Sequence, residues 1–82
     1  MLFIVVCEKI NCEYVCHFDT KPLHDEIIDG WSLKNKDLRA RVINELGCFV
    51  KVKYSGAQWH PQFGELPKIE LVRVEEKELV DK

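Results

Sequence analysis

Asp29-Gly30-Trp31-Ser32-Leu33-Lys34-Asn35-Lys36-Asp37-Leu38-Arg39-Ala40-Arg41-Val42-Ile43-Asn44-Glu45-Leu46-Gly47-Cys48-Phe49-Val50-Lys51-Val52-Lys53-Tyr54-Ser55-Gly56 holds the one convincing helix of the chain, a glycine stop, and a strand of alternating polarity. Leu38, Val42 and Leu46 recur at four-residue spacing and Ile43 widens the stripe, which is the pattern of an amphipathic helix docking on a sheet. The spacing predicts a helix over about 33–46, with Ser32 as N-cap and Asn35 as the alternative, because either side chain can accept from a first-turn amide. Gly47 stands where a left-handed residue would close the helix. Beyond it Cys48, Val50, Val52 and Tyr54 fall on one face of a strand, and Phe49, Lys51 and Lys53 on the other. One helix set among strands predicts a small barrel or a sheet with one covered face.

The flanks are strand and turn. Leu2 to Cys7 is a continuous apolar run rich in branched residues, fitting an interior strand. Glu8 to Asn11 breaks it. Cys12 to Asp19 then alternates, placing Cys12, Tyr14, Cys16 and Phe18 on one face, so the first two strands read as an antiparallel hairpin. Thr20 to Asp25 is a loop with Pro22, and Glu26-Ile27-Ile28 is a short third strand ended by Asp29-Gly30. Ser55 to Pro67 reads as a long loop with two prolines and two glycines, and Lys68 to about Glu75 as the last strand, bulged or buried on both sides. Residues 76–82 are a charged tail expected to fray. The 82 residues, 46% apolar and 32% charged, form one α+β, β-rich domain of about five strands.

The net charge of −2 hides an uneven distribution. Residues 1–30 carry Glu8, Glu13, Asp19, Asp25, Glu26 and Asp29 against Lys9 and Lys21. The middle carries Lys34, Lys36, Arg39, Arg41, Lys51 and Lys53 against Asp37 and Glu45, so an anionic partner would bind there. A solvated helix and strand face explains the same charges. Trp31, Phe49, Tyr54, Trp59 and Phe63 cluster around this segment, and aromatics interleaved with cations are what strand-tracking nucleic-acid grooves use. Core packing accounts equally well for Tyr54 and Trp31; Trp59 and Phe63, set in the loop, are harder to bury. The candidate nucleic-acid residues are therefore Lys51, Lys53, Arg39 and Arg41 for phosphate, with Phe49 and Trp59 for stacking.

Chemistry-bearing constellations are weaker. Cys12 and Cys16 would lie roughly 13 Å apart on a straight strand, too far for one metal, and a site of Cys7, Cys12 and His24 could be built only through turns. Buried thiols in a reducing, cytoplasmic setting are the better reading. Cys16 and His17 adjoin in sequence but face opposite sides, and no phosphate loop or serine elbow is present. No catalytic residues, cofactor, metal or membrane span are expected.

The order helix, Gly47, Val50-Lys51-Val52-Lys53-Tyr54-Ser55-Gly56, loop, Gly64-Glu65-Leu66-Pro67 and a strand with Arg73 resembles the C-terminal oligonucleotide-binding domain of ATP-dependent DNA ligases over about residues 27–77. Asp29-Gly30-Trp31-Ser32 looks like that family's lead into the helix. The resemblance implies a small oligonucleotide-binding-like barrel of about five strands with one helix, and DNA contact through Lys51, Lys53 and the helix cations. Two motifs depart from it. Arg73-Val74-Glu75-Glu76-Lys77 stands in place of the closing Arg-x-Asp-Lys, and Ile27-Ile28-Asp29-Gly30 has isoleucine where the nucleophilic lysine of Lys-x-Asp-Gly would be, so the chain alone could not adenylylate a substrate.

Trp59-His60-Pro61-Gln62-Phe63-Gly64 is similar to the His-Pro-Gln-Phe peptides selected to bind streptavidin in its biotin pocket. A second function therefore stands beside DNA binding: a protein-interaction or inhibitor domain docking through the aromatic loop 57–64, with Trp59, His60, Gln62 and Phe63 as its contacts. In a purely structural reading Pro61 fixes a rigid turn, and Trp59 and Phe63 cover a barrel end.

Overall fold

The computed structural model of the protein describes residues 1–75, so the tail expected over 76–82 lies outside the described residues. Strands β1 (Leu2–Cys7), β2 (Ile10–His17) and β3 (Ile27–Asp29) are followed by a single 3₁₀ turn, Gly30–Ser32. Helix α1 (Lys36–Glu45) and strands β4 (Phe49–His60) and β5 (Gly64–Arg73) complete the fold. The five strands form one sheet in the order β2-β1-β5-β4-β3. β1 and β5 run parallel, and every other neighbouring pair is antiparallel.

The sheet is open, with β2 and β3 as its two edges, which corrects the expected barrel. Leu33, the α1 residues Leu38 and Val42, and Leu46 at its C-cap pack on Phe3, Val5, Cys7, Cys16, Val50, Val52, Ile69 and Leu71. The helix thus supplies the second layer that the opposite wall of a barrel would have supplied. Tyr14 on β2 reaches the same layer, donating its hydroxyl to Asp37 Oδ2 on α1 at 3.0 Å. Burying these side chains is the main stabilising term, about 1.5–3 kcal/mol for each large aliphatic one.

The helix starts later than its periodicity suggests. Asp29 accepts from the Trp31 amide at 2.9 Å and the Ser32 hydroxyl donates to the Asp29 carbonyl at 2.6 Å, so 30–32 close a turn of their own. Leu33 is extended, at φ −65° and ψ 135°, and the chain restarts at Asn35, whose Oδ1 accepts from the Asp37 and Leu38 amides. At the other end the amides of Leu46 and Gly47 both donate to the Val42 carbonyl, and Gly47 takes φ +105°. This is the left-handed closure that its glycine predicts.

The expected long loop is instead a hairpin. β4 and β5 pair from Val50↔Arg73 to Tyr54↔Ile69, shift by one residue at a bulge, and pair again from Ala57↔Pro67 to His60↔Gly64. Gly56 in the bulge adopts φ +81°, which suits a residue without Cβ. Pro67 is tolerated because β5 meets β1 only from Lys68 onward, leaving no further neighbour to which a proline would owe an amide. Residues 57–60 and 64–67 therefore form a two-stranded arm that pairs with neither β1 nor β3 and buries Leu66, in a molecule 43 Å long and 22 by 21 Å across. Gln58 Nε2 donates to Glu13 Oε2 at 2.9 Å, tying the arm to β2.

Candidate interaction surfaces

Phe49, Lys51 and Lys53 share the sheet face that α1 leaves uncovered, as their alternation with the buried Val50 and Val52 predicts. Their cross-strand partners there are Asp29 for Phe49, Ile27 and Val72 for Lys51, and Glu70 for Lys53. The Lys53 ammonium is hydrogen-bonded to the Asp25 carboxylate. That bond holds the Asp25 carboxyl below the usual carboxylate range, desolvation opposes it, and the charges of His24, Lys53 and Lys51 reinforce it. Carboxylates thus already answer part of the positive charge on this face.

Arg39 and Arg41 ride on α1, across the sheet from the two lysines. Arg39 is also committed locally, donating from its guanidinium to the Leu33 carbonyl at 3.3 Å. Trp59 belongs to neither group. Phe49, Lys51, Lys53 and Trp59 are all odd-numbered, so a regular strand would place them on one face. The bulge between Tyr54 and Ala57 inserts one residue into β4, and Trp59 comes to lie opposite Glu65, in the alternation of Ile69 and Leu71. The six residues expected to form one nucleic-acid surface are divided among the open sheet face, the helix and the arm.

The four residues of the expected partner loop do come together, at the tip of the arm. His60 Nδ1 accepts from the amides of Gln62 and Phe63 at 3.0 and 3.3 Å, closing the turn over Pro61. The His60 and Phe63 rings lie 5.0 Å apart between centroids. Trp59 is 71% exposed and Phe63 46% exposed. From Ser55 to Leu66 the chain has no lysine or arginine and a single carboxylate, Glu65, so the arm is an aromatic and polar ribbon of low charge.

Trp31, for which core packing was one reading, is 60% exposed. It lies beside Lys36, Arg39, Ala40, Arg41, Ile43 and Asn44 in a shallow concavity along α1. Surface and core readings are both open for Trp31 in the sequence, and the 3₁₀ turn before the helix turns it outward. Tyr54, by contrast, packs in the core layer against Phe3 and donates its hydroxyl to the Pro22 carbonyl.

Cys7 and Cys16 are buried and Cys48 is exposed. Among the described residues no group of three or more His, Cys, Asp or Glu side chains could hold a metal ion, and no helix is long and apolar enough to cross a membrane. Comparison with known proteins found no match: no family model, no curated protein and no solved structure matches the chain.

Proposed function

We propose that the protein is an interaction module whose β4–β5 arm delivers Trp59 and Phe63 into a pocket on a protein partner. The observation that carries this reading is the arm itself: a ribbon paired only within itself, with a large aromatic residue 71% exposed near its tip. Tryptophan is the residue type most often found to dominate protein interfaces. Burying it removes on the order of 200 Å² from water, a gross gain of about 5 kcal/mol before the costs of association. The imidazole of His60 holds the tip closed by two backbone amides, so less ordering remains to be done on binding.

Two binding measurements test it. Immobilised streptavidin should capture the protein in a biotin-sensitive way if the His60-Pro61-Gln62-Phe63 tip is accessible. In a pull-down, a partner retained by the unaltered protein should be lost with Trp59→Ala and Phe63→Ala and kept with Lys51→Glu and Lys53→Glu. The opposite dependence would sink the arm as the docking element and favour the sheet face. On that face the DNA-binding reading keeps one supporting observation, the common face of Phe49, Lys51 and Lys53, with Asp25 and Glu70 beside them as the opposing one.

A further inference from the structure

We infer that the helix side of the molecule is a second, separate binding site, in which Trp31 stacks a base of a single-stranded nucleic acid while two of the three lining cations, Lys36 and Arg39, the latter through the guanidinium donors not given to Leu33, pair with phosphate. The first support is the outward position of Trp31. Gly30 is the buried member of this turn: a Cβ there would sit 3.0 Å from Ile43 Cδ1 and 3.3 Å from both Val42 Cγ1 and the Cys48 carbonyl oxygen. With the backbone pressed against α1 at Gly30 and the Trp31 amide held by Asp29, the indole is directed beside the helix and left 60% exposed.

The second support is what surrounds it. Lys36, Arg39, Ala40, Ile43 and Asn44 recur at three- and four-residue spacing, so they form one helix face next to Trp31, with Arg41 at its margin. Ala40, the smallest of them, leaves the depression, which is shallow and open along the helix. No carboxylate lines it. Of the two acids on the helix, Asp37 is engaged with the Tyr14 hydroxyl on β2, and Glu45 lines a different depression with Lys9. Cations without a lining carboxylate select an anion, and an exposed indole among them selects one that also carries a planar ring. A nucleotide strand supplies both, whereas an acidic peptide would use the charges and gain nothing from Trp31. This site shares no residue with the arm, and its test is independent of the arm's partner.

The test is fluorescence anisotropy of a labelled twelve-nucleotide oligo-dT with the full chain. Two phosphates neutralised on a single strand give a slope of about −1.4 in log K against log salt, so affinity should fall about 25-fold between 20 and 200 mM NaCl. Trp31→Ala should weaken binding at least about 5-fold, the lower end for loss of one stacked base. Trp31→Phe, which keeps a π-face, should fall between the two. Lys36→Glu should weaken binding and Lys68→Glu, the same charge change on the far sheet face, should not. Circular dichroism melts check that each variant is folded, and Lys36→Glu carries the test if Trp31→Ala is not. No binding at 20 mM salt, or folded Trp31 and Lys36 variants that bind like the unaltered protein, would overturn the inference. So would poly-glutamate displacing the oligonucleotide as well as unlabelled oligo-dT does, an outcome that assigns the face to an acidic protein segment.

Discussion

Replacing Gly56 by L-alanine isolates the cost of the bulge that aims the arm. A Cβ built at Gly56 meets nothing within 4 Å, so the substitution adds no clash and fills no cavity. What remains is the backbone: φ is +81°, where an L-residue costs about 1–2 kcal/mol. Alanine also restricts the unfolded chain, which returns about 0.4–1 kcal/mol. The net loss is then about 1 kcal/mol, a lowering of the Tm by about 4–8 °C in a domain of this size. Thermal unfolding followed by far-UV circular dichroism reads it directly. A chemically synthesised chain with D-alanine at 56 supplies the sign test: the D-residue accepts positive φ, so it should match or exceed the glycine protein by up to about 1 kcal/mol. If L-alanine leaves the Tm unchanged, or D-alanine costs as much as L-alanine, the left-handed bulge is not what holds this turn. The L-alanine chain also has a route to relief, slipping by one residue to remove the bulge, and that slip would turn Trp59 to the opposite face. Loss of streptavidin capture beyond the fraction unfolded would report it.

Two further outcomes are expected. Asn35→Ala, which strips the cap from two amides, should cost about 1 kcal/mol in denaturant unfolding, while Ser32→Ala should cost less; the reverse order would place the helix start back at 33. Burial raises the Tyr54 phenol above its ordinary 10.0, and the Glu26 charge adds to the effect. Its contribution is therefore fully present below pH 10, where both states keep the proton, and is lost as pH rises from there through the raised folded value. Tyr54→Phe should flatten that alkaline loss in a pH series of Tm values and cost about 1 kcal/mol for the hydrogen bond to Pro22.

Local patterns were legible where one element met one face. The branched run Leu2–Cys7 is β1 residue for residue, and the stripe Leu38, Val42 and Leu46 is the buried face of α1. Gly47 closes the helix as its type suggests, and the alternation of Val50 with Lys51 survives as far as Tyr54. Illegibility begins at Ser55. A one-residue bulge leaves no periodic trace, yet it reverses the side on which every later residue of β4 lies, so Trp59 could not be assigned to a face by counting. Composition likewise marked Ser55 to Pro67 as loop, because glycine and proline read the same whether they end strands or bend a ribbon. Open versus closed sheet turned on whether β2 and β3 meet, and the pairing that sets them on opposite edges, Ile4↔Lys68, joins residues 64 positions apart, beyond the reach of any local pattern.

That β1–β5 pairing also orders events in time. β1 has its place in the middle of the sheet between β2 and β5, so one side of it must wait until most of the chain has been made. During synthesis at about 5–20 residues per second, the β1–β2 hairpin stands for several seconds with Ile4 to Cys7 offering unpaired backbone along one edge. An apolar edge of that kind is a template for a wrong neighbour. Closure across so long a loop is also the slow kind of folding event. The interval between the second strand and the fifth is when this protein is most exposed to aggregation, and a chaperone that shields extended apolar segments would act on it then.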